Sequence, residues 1–344
     1  MRFIINLILS FGIIELFSLF FILLNILTFS LYLADKLKAV KGKWRISEKL
    51  LIFFTLIGGI GALLGMCIAK HKTKNRKFRL VVVLGLAIAL VPVIHIAHGL
   101  TVGSIIRYVE VEFRSENWPS ALGGYRIAFM TDMHAITDES MRAVAAELNN
   151  RNLDLLLLGG DFSMRNAHYQ GTVREISQIA TRDGIFGVEG NHDDYLRVFR
   201  AMEQYGITPL DNSGTHIREN FYLAGIHDKW NRNPDLQGAI TNAYNDDFIL
   251  LISHNPDVVM VQSTAGIDFI LSGHTHGGQI TFFGYPIYLW RGSITDYGSR
   301  FAYGFAYSPD GTPVFTSSGI GDYFGIPRIF ARPEVVIFTM YSKS

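Results

Sequence analysis

The sequence predicts two structural classes in succession: an all-α transmembrane region over 1–103, then an α/β domain over 107–344. Three observations carry this. Long apolar runs are confined to the first hundred residues. Short apolar runs alternate with helical stretches from residue 107 onward, the pattern of an α/β fold with largely parallel pairing. Charge divides at the same place: residues 1–100 hold 13 Lys+Arg and 3 Asp+Glu, and the remaining 244 hold 18 and 27. A net charge of +1 therefore hides a +10 segment joined to a −9 segment.

The apolar runs are 3–34, 50–69 and 80–100, the first interrupted only by Glu15. About 20 apolar residues cross a bilayer core, so each is long enough. Three such runs exceed what a soluble core needs. A cleaved signal peptide is excluded by length and by the lack of an A-x-A-like site. Inside a membrane, Glu15 must face the bundle or an aqueous cavity. His95 and His98, near the end of the third run, read as interfacial.

Two basic segments, 35–49 and 70–79, separate the runs, with six Lys/Arg each. Charge bias wants both in the cytoplasm, yet three full spans would set them on opposite faces. Either the middle run is re-entrant, broken at Gly58, Gly59, Gly61 and Gly65, or it is an ordinary helix packing its Gly61-x-x-x-Gly65 face on a neighbour. The abundance of glycine in membrane helices favours the second. The order Tyr32-Leu-Ala-Asp35-Lys36, Trp44-Arg45-Ile46-Ser47-Glu48, Gly58-Gly59-Ile60-Gly61-Ala62, His71-Lys72-Thr73 resembles a small bacterial membrane-protein family of unknown function over 28–80. That likeness implies a membrane domain and no reaction.

In the second region, 107–114 alternates polar and apolar as a half-buried strand does. Strands are expected at 125–131, 154–158, 184–188, 221–226, 248–253, 267–272 and 335–341. Helices are expected at 138–150, 172–182, 194–205 and 255–263. The single cysteine, Cys67, excludes a disulfide framework and a CxxC metal or redox site.

Polar residues gather where these strands end. Asp132 and His134 follow the 125–131 strand, and Asp161 follows 154–158. Asn191, His192 and Asp193 follow 184–188, His254 follows 248–253, and His274 and His276 follow 267–272. The carboxyl edge of an open α/β sheet is where ligands bind. Mixed carboxylate, amide and imidazole donors suit two divalent ions (Mn, Fe, Zn or Co), a pair that clamps both oxygens of a phosphoryl displacement. Gly160 and Gly190 let the backbone turn sharply beside them.

These blocks, Asp132-Met-His134, Gly160-Asp161, Gly190-Asn191-His192-Asp193, His254 and Gly273-His274-Thr275-His276, resemble the calcineurin-like metallophosphoesterases, in order, over about 107–344. The resemblance implies a two-sheet α/β sandwich flanked by helices. It implies one metal on Asp132, His134 and His276, a second on Asn191, His254 and His274, and Asp161 bridging them. It also implies that His192 protonates the leaving oxygen, oriented by Asp193. The Ser/Thr protein phosphatases of that superfamily continue differently after the second block. Here Asp161-Phe-Ser-Met-Arg165-Asn166 stands instead, which argues against that activity and leaves Arg165 as a phosphate contact. Ser253-His-Asn-Pro-Asp257, Gly273 to Ile280 and Pro333-Glu334-Val-Val look like the membrane-associated bacterial branch, which includes UDP-2,3-diacylglucosamine pyrophosphatases of lipid A biosynthesis.

The expected function is therefore a metal-dependent phosphoesterase, multi-pass in a bacterial-type inner membrane, with the bilayer and a phosphorylated lipid as partners. Nucleic acid is excluded as a substrate because a −9 domain repels a polyanion. The alternatives are an inert membrane sensor or scaffold, which the complete donor set argues against, and a phosphomonoesterase of small soluble substrates. His216 and His168 read as solvated. His227-Asp228 closes a strand close to the donors. The aromatic run 282–290 reads as a core strand with its turn, or else as the rim of the site.

Overall fold

The computed structural model describes residues 13–134, 136–163, 169–286, 295–322 and 327–343. They fall into two compact units, Met1–His98 and Gly99–Ser344.

In the first unit, helix α1 (Ile13–Val40) is followed by two short helices, α2 (Glu48–Ile57) and α3 (Gly59–Ile68), and then by α4 (Arg76–Leu100). Among the described residues, Ser18–Val40 of α1 and the whole of α4 are the stretches long and apolar enough to cross a membrane. The middle run is broken at Gly58, whose backbone (φ −124°, ψ 50°) leaves the helical region. Each half has 10 residues, about 15 Å, half of a bilayer core of about 30 Å.

The polar contacts of α1 fix the direction of the two halves. Near its C-terminal end, buried Asp35 accepts from Arg45 Nη2 (2.6 Å) and from the Ile46 amide (3.0 Å), just before α2. The same carboxylate meets His71 Nε2 (2.7 Å), just after α3. About 10 Å further along α1, Thr28 Oγ1 donates to Phe54 O (3.3 Å) near the end of α2. Asn25 Oδ1 accepts from the Gly61 amide (2.9 Å) at the start of α3. So α2 runs in from one end and α3 runs back to it. The middle run is a helical hairpin broken at Gly58, not the single ordinary helix that glycine frequency favoured. The Gly61 and Gly65 face does pack on α1: a Cβ at Gly61 would lie 2.0 Å from Asn25 O, and one at Gly65 2.6 Å from Tyr32 Cβ. The side chain of Glu15 lies outside the described residues.

The second unit is a sandwich of two six-stranded sheets. Sheet one has the order β1 (Arg107–Ser115), β14 (Glu334–Ser342), β2 (Tyr125–Met130), β3 (Leu155–Leu158), β4 (Ile185–Gly187), β5 (Thr208–Pro209). Sheet two has the order β12 (Gly304–Tyr307), β13 (Pro313–Thr316), β9 (Phe269–Ser272), β8 (Phe248–Ser253), β7 (Phe221–Gly225), β6 (Ser213–Arg218). Pairing is parallel except β14 with β2, β6 with β7, and β12 with β13. Helices α5 (Asp138–Leu148), α6 (Tyr169–Ile176) and α7 (Tyr195–Gln204) cover the outer face of sheet one.

Strand residues alternate between two cores, as the period of two requires. Leu155 and Leu157 pack between the sheets with Phe129, Leu250 and Leu271. Leu156 and Leu158 pack outward under Met141, Val144 and Leu148 of α5. Burial on both faces is why β3 is an unbroken leucine run. Two expected helices differ. The 255–263 stretch is only a 3-10 turn, Pro256–Met260, capped by Asn255 Oδ1 on the Asp257 amide (2.9 Å). The 172–182 helix is α6, earlier and shorter.

Candidate metal centre

The parallel neighbours β2, β3 and β4 of sheet one and β8 and β9 of sheet two end at the same edge of the sandwich. The turns after these five strands carry all seven expected metal ligands. Hydrogen bonds between turns set their spacing: the Asp132 amide donates to Gly160 O, the His134 amide to Asp161 O, and the Gly273 amide to His254 O, each 3.0 Å. At Gly160 (φ +92°) and Gly190 the turns approach too closely for any side chain, since a Cβ would lie 2.5 Å from the Gly190 amide nitrogen or 2.2 Å from Asp161 Oδ1. Five of the seven ligands themselves hold left-handed backbone: Asp132 (φ 53°), His134 (39°), Asp161 (56°), His274 (70°) and His276 (53°). Such conformations are uncommon without glycine and concentrate at functional sites.

The donor atoms form two adjoining groups. In one, His134 Nε2 and His276 Nε2 are 3.0 Å apart, and Asp132 Oδ1 lies 3.4 Å from His276 Nε2. In the other, Asn191 Oδ1 lies 3.0 Å from His254 Nε2 and 2.8 Å from His274 Nδ1. Asp161 Oδ2 stands between them, 3.3 Å from both His134 Nε2 and His254 Nε2. The ligand atoms of Asp132, His134 and His276, and those of Asp132, Asp161 and His254, each lie within 4.8 Å of one another. Asp132 thus borders both positions. Buried nitrogen and oxygen donors converging without sulfur fit divalent ions of the Mn, Fe, Zn or Co type.

Electrostatics divide the donors. Burial, reinforced by the charges of His192, His254 and Arg328, pushes His134 down to about 4, leaving a neutral imidazole. Burial with the neighbouring His134 and Arg328 likewise holds His276 well below the usual range. Burial opposes the charged form of His254 too, but the Asp161 carboxylate outweighs it and raises that ring. Burial and the charge of Asp161 raise Asp132 to about 6. His254 Nδ1 donates to Gly159 O (2.7 Å), which aims Nε2 at the centre in the usual second-layer manner.

His192 stands half-buried at the rim, its ring 5.4 Å from that of His134, and its amide donates to Asp161 Oδ1 (2.8 Å). Asp193 does not orient it as expected. Its carboxylate accepts instead from the amides of Gly190 (2.9 Å), Asp161 (2.8 Å) and Phe162 (2.9 Å), pinning two ligand turns together. Three backbone donors leave it an anchor for the turns. Arg165 and His168 lie outside the described residues. His227 faces away, against Asp211 and Asn233. Asp228 acts on the site through its loop: it caps the amides of Trp230 and Asn231, Trp230 sets its ring 4.4 Å from that of His274, and Asn231 Nδ2 reaches Asn191 O (2.6 Å). His216 is not simply solvated, since it pairs with buried Asp247 (2.8 Å) and stacks on Tyr244.

The sequence reading missed Arg328. It is fully buried, donates to Ser318 O (2.6 Å) and Gly321 O (2.9 Å), and sets Nη2 3.2 Å from His276 Nδ1. A lone arginine fifty-two positions from the last histidine block gives no local signal. The described part of the aromatic run is a small hairpin, β10 (Thr281–Phe282) and β11 (Tyr285–Pro286), with Phe282, Phe283 and Tyr285 more than half exposed. It is therefore not a core strand. Residues 287–290 lie outside the described residues.

Comparison with known proteins agrees with this geometry. Residues 125–278 match the family described as calcineurin-like phosphoesterase, and residues 25–78 match one described as a protein of unknown function (DUF1294). An uncharacterized metallophosphoesterase of Helicobacter pylori is 26% identical over 226 residues, covering 62% of this chain and 58% of that relative's length. A transmembrane protein with metallophosphoesterase domain from Danio rerio is 25% identical over 83% of this chain and 69% of its own length. An uncharacterized metallophosphoesterase of Campylobacter jejuni is 24% identical over 91% of this chain and 84% of its own. Among solved structures, a dimetal phosphatase from Danio rerio has a TM-score of 0.40 at 9% identity, over 64% of this chain and 93% of that one. The second unit carries a metallophosphoesterase fold and the donor set of a metal-dependent hydrolase.

Proposed function

We propose that the chain is a membrane-anchored phosphoesterase that hydrolyses a phosphoester or diphosphate bond in a lipid-linked substrate, using two divalent ions. The observation that carries the chemistry is Asp161 Oδ2, equidistant at 3.3 Å from His134 Nε2 and His254 Nε2. Asp132, His134 and His276 would hold one ion, Asn191, His254 and His274 the other, and Asp161 both. When bound, such ions activate water and offset the charge of the phosphoryl group. His192, at the rim, gives a proton to the leaving oxygen, and the anchored Asp193 keeps the 190–193 turn in place.

Anchoring is supported by two helices long enough to span and by their exposed apolar side chains. A hydrolase tethered to a bilayer gains effective concentration towards membrane substrates. Because α2 and α3 return to the end they leave, both basic segments share one face, and charge bias assigns that face to the cytoplasm. Helix α4 then carries the chain about 37 Å onward, to the other side. This reading favours a lipid phosphate or diphosphate displayed outside the cytoplasm over a cytoplasmic nucleotide sugar such as an acylated UDP-glucosamine.

The test is a metal-reconstituted assay of the purified full chain against phosphomonoesters, lipid phosphates and diphosphates, and acylated and deacylated UDP-glucosamine. Asp161→Asn should lose metal and rate together. His192→Ala should keep its metals and lose rate about 10²–10⁴-fold. Full activity after exhaustive chelation would overturn the two-metal reading, and a preference for deacylated substrates would overturn the lipid reading alone.

A further inference from the structure

The helical hairpin has an effect beyond topology: it gathers charge. The two basic segments hold twelve Lys/Arg, and the only acids between residues 35 and 79 are Asp35 and Glu48. Both acids are already used. Asp35 is buried beneath Arg45 and His71, and Glu48 pairs with Lys72 Nζ (2.7 Å). The Asp35 contacts tie the segment before α2 to the segment after α3, so the cations sit on a fixed platform. Setting membrane orientation needs only a count of charges. It does not need the two loops clamped together by a buried carboxylate.

Apolar groups stand among these cations. Trp44, between Lys43 and Arg45, is 94% exposed, and Val40 at the end of α1 is 72% exposed. Val40 continues a side of α1 on which Leu19, Phe20, Leu23 and Ile26 are also exposed, a surface that suits acyl chains. A tryptophan and a dense cationic cluster at the end of a lipid-facing helix are the chemistry of the headgroup layer, where aromatic rings anchor and anionic lipids collect Lys and Arg.

We propose that this end of the helical unit is a docking face for acidic phospholipid headgroups, with the two basic loops meeting the phosphates and Trp44 seated at the headgroup level. The ligand chemistry is a phosphate monoanion, and the source is the bilayer that holds α1 and α4. The proposal rests on the membrane anchoring proposed above and not on the phosphoesterase chemistry, so that chemistry can fail without it.

The full chain in neutral detergent is titrated with short-chain phosphatidylglycerol, with matched phosphatidylcholine and with inorganic phosphate, and thermal unfolding is followed. Phosphatidylglycerol alone should give a saturable rise in Tm. Lys41→Gln with Lys43→Gln should weaken that binding about tenfold or more. These lysines are exposed and make no ion pair among the described residues, so the variant keeps its fold. Trp44→Ala should weaken binding without altering charge. Equal shifts with phosphatidylcholine, a match by inorganic phosphate, or unchanged affinity in the double-lysine variant would each overturn the proposal.

Discussion

At the scale of single residues, two histidines at the centre are held in opposite ways. His254 donates its Nδ1 proton to a backbone carbonyl, which turns Nε2 towards the centre. His276 Nδ1 lies 3.2 Å from Arg328 Nη2, a neighbour that can only donate and so cannot take the ring's proton. Arg328 puts fixed positive charge beside His276, and its donations to Ser318 O and Gly321 O hold the 318–321 turn against the centre. Arg328→Met leaves those carbonyls buried without their donor and should destabilise the fold by about 1–3 kcal/mol for each. Arg328→Lys should recover part of it. Thermal unfolding in the presence of a chelator checks this. The ligands were legible because each is an Asp, Asn or His directly after an apolar run. Arg328 was not, because its partners are carbonyls at 318 and 321 and a histidine at 276.

Secondary-structure elements were legible where burial is two-sided and local. Runs such as Leu155–Leu158 and Phe248–Ser253 read as strands directly from their unbroken apolar character. What was not legible is pairing. β14 lies between β1 and β2, parallel to one and antiparallel to the other, over a separation of more than two hundred residues. The 255–263 stretch looked helical, but Asn255 and Pro256 direct it into a capped 3-10 turn. The break at Gly58 was visible as a glycine cluster, whereas its depth depends on Thr28 and Asn25 of another helix. The β10–β11 hairpin makes a prediction at this scale. If its exposed rings meet the apolar part of the substrate, Phe282→Ser with Phe283→Ser should raise KM for an acylated lipid phosphate. It should leave the deacylated analogue unchanged. Steady-state kinetics on the pair decides.

At the scale of the whole molecule, the helical hairpin would make a contradictory charge pattern consistent in a membrane. Single cysteines placed in 41–43 and in 73–75, in a Cys67→Ser background, should label from the same side of an intact membrane. Labelling from opposite sides would exclude the hairpin. A second consequence concerns the left-handed ligands. A non-glycine residue in that region carries on the order of 1 kcal/mol or more of backbone strain. Asp132, His134, Asp161, His274 and His276 all carry it within a fold whose total stability is of the order of 5–15 kcal/mol. Function and durability are thus set against each other at the same five positions. Replacing a ligand by alanine removes the donor and keeps the strain, whereas replacing it by glycine removes both. Asp161→Gly and His274→Gly should therefore melt higher than Asp161→Ala and His274→Ala in the presence of a chelator. Without its ions, the molecule should last longer with glycine than with alanine at the positions that make it an enzyme.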